Sequence, residues 1–597
     1  MATCPHILLA ILCLLGTLTV CRGGIWAYVK WDAGGPQVGL ADIEEEIPDE
    51  AVASGYYSNE INSTGWSNLI APAYATNLLA PTHTTNLLTP SWAYLEVKTS
   101  ASAPDERQAY SAGVVEGYLS RDLIWYHWMN LLQDYCINKS SVCDMVEKFI
   151  DDNEDFVGRN LERNPEDPYW YQVKLFYIQL EGLAYGYNGA TKNPDEKLSL
   201  RDVFWLNLLG DLDELAYALV VRHNGSAPAP DADERCTGLV KLLPDHSDLY
   251  VAHVTWNSYQ SMLRVQKMYD LQYGATPSCR EKLPGRRMTM SSYPGFVQSS
   301  DDFYVVSSGL VVAETTIGNT NASLFLEVQP EDSLFEFVRA MVASRLATSG
   351  EQWAWFFKRY NSGTYNNQWY IVDYTRFSPA AGRAPARLRR GLLWLLEQAP
   401  GYTASADITE QLTKESYFGS YNIPYFKKMF DLTGGMERVR SFGAWFGYDT
   451  NPRALIIREQ QSTISSLRDM YRVARYNDYK HDALSRCPEC RPPYSACNAI
   501  AARNDLNPAD GWYPFRALGH RSHGATDAKI TSYKLHKQLK FIAVSSPPHN
   551  TSRGLPPFRW SKFDLKVPHM GHPDLWTFPP VVHSWNHGGD GTTNDDD

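Results

Sequence analysis

The sequence lacks several features that would assign it to a common class of protein. Acidic side chains outnumber basic ones by 67 to 55, the formal net charge is −12, and no basic stripe or tail occurs, which argues against a nucleic-acid partner. The chain contains no phosphate-binding glycine loop, no dinucleotide fingerprint and no Gly-x-Ser-x-Gly motif, which disfavours nucleotide enzymes and serine lipases. We predict no cofactor.

Long apolar runs are scarce as well, because only the start of the chain carries one. It extends from Ile7 to Val20 and is followed by Cys21-Arg22-Gly23. Its length is typical of a signal-peptide core and is short for a membrane span. We predict a signal peptide over residues 1–23 and a protein of the lysosome lumen or the secreted fraction. Five Asn-x-Ser/Thr sequons agree with passage through the secretory pathway: Asn62, Asn138, Asn224, Asn321 and Asn550.

Cysteine is infrequent, with ten residues in 597, and three of the ten fall in the leader. The remaining seven are an odd number, so at least one thiol stays unpaired in an oxidising compartment. No second Cys-x-x-Cys and no His-x-His follows residues 487–490, which favours a disulfide there over a redox or zinc site. We predict two local disulfides: Cys136–Cys143 and Cys487–Cys490. Cys236 is the candidate free thiol, and the pairing of Cys279 and Cys497 stays open.

A β-hairpin is predicted by two short β-prone runs, Cys236–Leu243 and Leu249–Asn257, which flank a turn-forming cluster of Pro, Asp and Ser. Residues 223–235, directly before it, are polar and Pro-rich, and we predict an exposed processing linker. Cleavage between Arg235 and Cys236 would give one residue both a thiol nucleophile and a free α-amine. Because an α-amine titrates at about 7.7–8.0, it can serve as a general base near neutrality.

The histidine of the predicted hairpin and the histidines of the C-terminal tail can each be interpreted as functional or as structural residues. His253 lies on the return strand, close to Cys236 if the turn is tight. From the hairpin alone, a buried structural thiol beside a satisfied histidine is the better interpretation. The Pro-rich tail contains four histidines: His569, His572, His583 and His587. Their irregular spacing favours solvated or packing side chains over a metal site, and we predict no metal.

The periodicity changes at the linker. Residues 24–222 are predicted to be mostly helical, interrupted by a surface insertion at 67–92, whereas residues 236–597 carry the nucleophile and most of the β-sheet. Short alternating runs predict strands at Phe303–Ala313, Ser323–Val328, Trp369–Tyr374, Leu392–Glu397 and Ala454–Ile457. Helices at Ser333–Ser349 and Ser465–Ala474 interleave with them. This pattern indicates a layered α+β fold rather than a βαβ alternation.

Nine stretches resemble the phospholipase B-like family: Cys236–Leu243, Ala252–Tyr259, Leu310–Thr316, Gln368–Tyr374, Leu393–Gly401, Ser420–Phe426, Arg475–Asp482, Asn498–Leu506 and Pro573–Trp576. They match in the same order, and the similarity as a whole covers nearly all of the mature chain. The resemblance implies an N-terminal-nucleophile hydrolase, a four-layer αββα sandwich. It implies a proenzyme cut just before the cysteine, and we expect a shared core to keep the two fragments associated. It also implies a lysosomal or secreted glycoprotein that deacylates glycerophospholipids.

The same resemblance assigns roles to individual residues. Cys236 matches the nucleophile and His253 a pocket position, while Asn422 is expected to donate to the oxyanion of the tetrahedral intermediate. The predicted pocket residues are Trp256, Asn257, Thr316 and Arg475. Trp256 and Asn257 are chosen because they adjoin His253. Arg475 has two interpretations of similar weight, a group facing a phosphate or carboxylate and a structural ion pair.

These observations predict a self-processing cysteine hydrolase that releases fatty acids from glycerophospholipids during transient contact with a membrane surface. Two alternatives stay open. The same machinery also cleaves N-acyl amides, and a lysosomal lipid-binding glycoprotein with little turnover would show the same leader and sequons. The shared architecture fixes acyl transfer but not which lipid is cleaved.

Overall fold

The computed structural model describes residues 24–59, 92–225, 236–382, 384–583 and 585. The predicted signal peptide, the sequon at Asn62, nearly all of the 67–92 insertion, Arg235 with most of the linker, and His587 lie outside these ranges. The described residues form a mixed α/β structure, which confirms the predicted combination of helices and layered sheet.

The strands, in chain order, are β1 (Ile25–Asp32), β2 (Gly35–Ala41), β3 (Ala53–Ser58), β4 (Trp92–Thr99), β5 (Cys236–Leu242), β6 (Leu249–Ser258), β7 (Arg264–Asp270), β8 (Arg287–Ser292), β9 (Phe303–Val306), β10 (Leu310–Thr316), β11 (Asn367–Asp373), β12 (Phe377–Ser378), β13 (Arg387–Leu388), β14 (Leu393–Ala399), β15 (Tyr402–Asp407), β16 (Tyr417–Ser420), β17 (His523–Ala525), β18 (Ala528–Ser532), β19 (Phe541–Val544), β20 (Phe558–Arg559), β21 (Leu575–Trp576) and β22 (Val581–His583).

The α-helices are α1 (Asp105–Leu119), α2 (Arg121–Leu131), α3 (Ser140–Arg163), α4 (Pro168–Ala190), α5 (Leu200–Asn224), α6 (Glu336–Leu346), α7 (Gly350–Lys358), α8 (Thr409–Glu415), α9 (Lys427–Leu432), α10 (Gly435–Phe442), α11 (Pro452–Gln460), α12 (Leu467–Ala474) and α13 (Tyr533–His536). Across the described ranges, no helix combines the length and the apolar character that crossing a membrane requires.

The larger sheet has eleven strands in the order β15-β14-β11-β10-β9-β8-β7-β4-β3-β1-β2. Neighbours in it are antiparallel except β4 and β7, which are parallel and pair from Trp92–Arg264 to Lys98–Asp270. The segment before the linker therefore contributes four strands as well as helices α1 to α5, and these strands were not predicted. Because β4 and β7 lie on opposite sides of the linker, both halves of the chain share one sheet.

The smaller sheet carries the predicted hairpin. Its order is β16-β5-β6-β18-β19-β22, and β17 also pairs with β6. Strands β5 and β6 are antiparallel from Cys236–Thr255 to Leu242–Leu249, so the hairpin is confirmed with Cys236 as the first residue of its first strand.

Strand β5 separates two hydrophobic clusters, because successive side chains of a strand point to opposite faces. Val240 packs with Val311 and Tyr370 of the larger sheet. Leu239 packs on the other face, with Ile457 of α11 and Met470 of α12. A third cluster joins the larger sheet to helices that include α4 and α6. Cys236 shares the parity of Val240 and so lies on the side of β5 that faces the larger sheet.

Two of the predicted strands are wrong. Residues 323–328 lie mainly in a 3-10 helix, Ala322–Glu327, whose preceding Asn321 accepts a hydrogen bond from the Ser323 backbone. Residues 454–457 lie within α11, which begins at Pro452 after Asn451 caps the Arg453 backbone N–H. In both places an Asn cap starts a helical turn, and a four-residue apolar run does not by itself distinguish strand from helix.

Both predicted disulfides, Cys136–Cys143 and Cys487–Cys490, are present. Among the described sequons, the side chains of Asn138, Asn224 and Asn550 are exposed. Asn321 is only partly exposed, and its amide donates to the Leu432 carbonyl at 3.0 Å. Glycosylation of these asparagines stays a prediction.

Candidate active site

The predicted nucleophile lies between the two sheets, where a carboxylate and an imidazole approach it. Cys236 is buried, and its Sγ lies 3.9 Å from Oε1 of Glu314. Strand β6 places His253 opposite Gly238, two residues along β5 from the cysteine. One ligand-type atom of each of Cys236, His253 and Glu314 lies within 4.8 Å of the other two. The structure thus brings the predicted pair together and adds Glu314.

Glu314 lies in strand β10 just beyond the end of the neighbouring strand β9. The last pair between these strands is Ala313 with Phe303, whereas Glu314 still pairs with Trp369 of β11 on the other side. The Tyr365 hydroxyl lies 3.5 Å from Oε1 of Glu314 and donates to the Ser300 carbonyl at 2.7 Å. Sequence reasoning missed Glu314, although it falls inside a stretch that resembles the family.

The surroundings hold both groups in their neutral forms. Burial raises the pKa of the Cys236 thiol well above its ordinary value, and the Glu314 carboxylate raises it further, while Lys529 and the Trp256 backbone act in the opposite direction. Burial, followed by the Lys529 ammonium, lowers the pKa of His253 well below its ordinary value. In this structure the cysteine is a thiol and the histidine is a neutral imidazole.

A buried group of four charges lies beside the thiol. Lys529, on β18, lies opposite His253 in the register and donates to Thr255 Oγ1 at 2.5 Å and to Asp527 Oδ1 at 2.9 Å. Lys529 and Arg264 both contact Asp301, and Arg264 also lies 3.2 Å from Asp527. Each cation therefore contacts both carboxylates, which compensates the cost of burying the four charges.

The predicted oxyanion residue is joined to the nucleophile by an arginine. Nη1 of Arg453 donates to the Cys236 carbonyl and to the Asn422 side-chain oxygen, both at 2.8 Å. Asn422 adopts a left-handed φ of 70°, and its Nδ2 donates to the Thr316 carbonyl at 2.7 Å. The Asn422 amide is therefore engaged with Thr316, and its role as an oxyanion donor stays a prediction.

The remaining predicted pocket residues lie at different distances from the thiol. Trp256 lies on the opposite face of β6 from His253. Its indole donates to the Ile500 carbonyl at 3.1 Å, and Arg453 stacks on its ring at 4.4 Å. The Trp256 side chain is therefore joined to the site through Arg453, while its backbone hydrogen-bonds the Cys236 thiol.

Asn257, Thr316 and Arg475 have other partners. Asn257 donates to the Tyr293 hydroxyl at 3.2 Å. Thr316 is joined to the site by Asn422, and its buried Oγ1 has no hydrogen-bond partner among the described residues. Arg475, which follows the end of α12, donates to the Ser546 carbonyl at 2.5 Å and hydrogen-bonds the Tyr471 side chain. Neither described contact is an ion pair or reaches the thiol.

The three described tail histidines pack against aromatic rings. His569 stacks on Trp560 at 4.3 Å, His572 meets Trp576 at 5.3 Å, and His583 stacks on Phe541 at 5.0 Å. These contacts agree with the packing interpretation of the tail.

Comparison with known proteins gives consistent matches. The family model "Phospholipase B" matches residues 53–583. The chain is 46% identical over 503 residues to "Putative phospholipase B-like 2" of Homo sapiens, covering 83% of this chain and 84% of that protein. It is 38% identical over 551 residues to "Putative phospholipase B-like 1" of Caenorhabditis elegans, covering 91% and 89%. It is 35% identical over 497 residues to "Phospholipase B-like protein B" of Dictyostelium discoideum, covering 82% of each.

Proposed function

Because the chain belongs to the phospholipase B family, we propose that it is a self-processed cysteine hydrolase that releases fatty acids from glycerophospholipids. The observation that carries the proposal is the position of Cys236. Its thiol begins a strand directly after the linker and lies beside His253 and Glu314 between the two sheets. The order of packing, with helices on the outer face of each sheet, supports the N-terminal-nucleophile sandwich that the family resemblance implies.

Maturation in this scheme is an acyl shift. The Cys236 sulfur attacks the Arg235 carbonyl carbon, the peptide C–N bond breaks, and the thiol proton passes to the departing amine. Water then hydrolyses the thioester, which releases the Arg235 carboxylate and restores the thiol. Arg453 holds the Cys236 carbonyl at 2.8 Å, so the residue stays in place when its peptide bond is cut.

The mature residue then has its own general base. The new α-amine takes the thiol proton, the thiolate attacks the acyl carbonyl, and water later releases the fatty acid. The Trp256 backbone, which already favours the thiolate, and the Asn422 amide are the candidate oxyanion donors. In an acidic lumen the amine must have a lowered pKa, and the nearby Lys529 ammonium would contribute to this because like charges disfavour protonation.

The two fragments are expected to remain together after the cut. Strand β4 of the first fragment and β7 of the second pair over seven residues in the larger sheet, and helices of the first fragment pack on that sheet. Separation would expose one continuous apolar core to water. Lysosomal or secreted location belongs to the same proposal.

The test combines intact mass, N-terminal sequencing and lipid assays on wild-type, Cys236→Ala, Cys236→Ser and Cys279→Ala proteins from a secretory host. We expect wild type and Cys279→Ala to give a fragment beginning at Cys236 and to release fatty acid from phosphatidylcholine vesicles. Cys236→Ala should remain one inactive chain. Matched ester and amide lipids decide between ester and N-acyl amide hydrolysis.

Two outcomes would overturn the proposal. An uncut wild-type chain with full activity would exclude the processed nucleophile. Equal, slow fatty-acid release by wild type and Cys236→Ser would favour a lipid-binding protein with little turnover.

A further inference from the structure

The site described above also contains three metal-ligand types in one place. Among the described residues, Cys236, His253 and Glu314 are the set of His, Cys, Asp or Glu side chains whose donor atoms all lie within 4.8 Å of one another. All three side chains are buried. They come from three strands of two sheets, so packing rather than a flexible loop fixes their separation.

Thiolate, imidazole and carboxylate are the donors that Zn²⁺ binds, and zinc sites with three protein ligands keep a fourth position for water. Donors around a tetrahedral zinc lie about 3.5 Å apart, given metal–ligand distances of about 2.0–2.3 Å. The Cys236 sulfur is already 3.9 Å from the Glu314 oxygen, and all three donor atoms lie within 4.8 Å of one another. Closing around an ion therefore shortens any one separation by about 1.3 Å at most.

The hydrogen-bonding state of His253 also favours a ligand. The side chain is fully buried, and neither ring nitrogen makes a hydrogen bond of standard distance and angle within the described part of the chain. The Glu314 backbone is close enough to raise its pKa slightly, against the larger effect of burial. Coordination of a metal through one nitrogen would give this buried imidazole a stronger partner. Neutral imidazole is the form that binds metals.

The charges near the site leave room for a divalent cation. Arg264 and Lys529 contact Asp301 and Asp527, so these four charges balance one another. A bound ion of charge +2 would add a positive charge directly beside the Glu314 carboxylate and a Cys236 thiolate.

We propose that Cys236, His253 and Glu314 bind a thiophilic divalent cation, Zn²⁺ in particular, and that the bound ion blocks the cysteine. Binding forms a metal–sulfur bond and releases the thiol proton to solvent, so the sulfur lone pair is no longer available to attack a carbonyl. The inhibitory part rests on the proposed function. After the proposed cleavage, the α-amine of Cys236 would add a fourth donor in a five-membered chelate with its own sulfur.

The binding test uses Cd²⁺ and Co²⁺ as spectroscopic probes, because each gives a charge-transfer absorption when bound to thiolate. We expect one equivalent of thiolate-bound metal in the purified wild-type protein, and we expect Zn²⁺ to displace it. Cys236→Ala should abolish the absorption, and His253→Ala or Glu314→Gln should weaken binding by about tenfold or more. Cys279→Ala is the matched control, since it removes a thiol elsewhere and should leave the absorption unchanged.

A folded wild-type protein without this absorption would overturn the proposal, and so would an absorption that Cys236→Ala retains. Circular dichroism of each variant, with Cys236→Ser as a second substitution, separates loss of a ligand from loss of the fold. Because the readout is spectroscopic, thiolate-bound metal in a chain that is uncut and inactive would contradict the proposed function but not the metal site. An active, processed enzyme that binds no metal would contradict the metal site but not the proposed function.

Discussion

Gly238 and Tyr370 meet so closely between the sheets that a Cβ atom on Gly238 would lie 2.5 Å from the tyrosine ring. The ring cannot move away cheaply, because it is fully buried and its hydroxyl donates to the Ala252 carbonyl at 3.1 Å. Gly238 lies two residues from Cys236 on the same face of β5. The absence of a side chain at this position therefore sets the spacing of the sheets beside the nucleophile.

Gly238→Ala should destabilise the protein by about 1–3 kcal/mol, because an added methyl group in a packed core forces its neighbours to shift. The measurement is the midpoint of denaturant unfolding. Gly158→Ala is the matched control: Gly158 lies inside α3, and a Cβ atom there would meet nothing within 4 Å, so alanine should be neutral or slightly stabilising. A Gly238→Ala protein as stable as wild type would show that the sheets separate freely at this position.

Arg453→Lys should slow self-cleavage and fatty-acid release by about 100-fold, since displacement of reacting groups by about 1 Å has effects of that size. The guanidinium joins the Cys236 carbonyl, Asn422 and the Tyr421 carbonyl, and lysine cannot match that fork of donors. The readouts are the rate of fragment appearance and the unfolding midpoint, measured on the same sample. A variant that loses stability but cleaves at the wild-type rate would assign Arg453 a structural role alone.

Glu314→Gln should lower the pKa of the Cys236 thiol. Burial is the larger cause of its raised pKa, and the Glu314 carboxylate is the next, so only the second part is removed by the substitution. The measurement is the pH dependence of alkylation at the Cys236 peptide, followed by mass spectrometry in a Cys279→Ala background. The profile should move to lower pH than in the same background with Glu314 intact, and an upward or absent movement would contradict the electrostatic role.

The hairpin can be predicted from the sequence alone, but the strands that pack around it cannot. Strands β5 and β6 are adjacent in the chain and joined by a short turn, so local residue patterns determine them. Strand β4 was missed because it pairs with β7, which lies far along the chain, and no local pattern records such a pairing. Strands β1 and β2 form a local hairpin that closes at Asp32 and Gly35, and the sequence analysis overlooked it.

The same distinction applies to the site. Cys236 and His253 could be paired from the sequence, because a register across one hairpin brings them close. Glu314 and Arg453 come from β10 and α11, and only the packing of the second sheet and of a helix against β5 brings them to the cysteine. Trp256 shows that closeness in sequence can mislead. It lies three residues after His253, and residues at an odd separation along a strand point to opposite faces.

Three buried carboxyl groups make the free energy of unfolding depend on pH. Burial raises the pKa of Asp211, on α5, to about 6, despite hydrogen bonds from Thr364 and the Glu336 backbone that favour its charged form. Burial also raises the pKa of Asp302 and of Glu336 well above their ordinary values, and the nearby Asp211 carboxylate raises both further.

Asp211→Asn should flatten the dependence of stability on pH. From about pH 4 to pH 6 the folded protein keeps a proton on Asp211 that the unfolded chain has lost, so wild-type stability falls as pH rises through this window. The contribution removed by asparagine is on the order of 2–3 kcal/mol. Thermal unfolding midpoints at intervals across that range provide the measurement. An equal slope in wild type and Asp211→Asn would show that this carboxyl is charged in the folded protein.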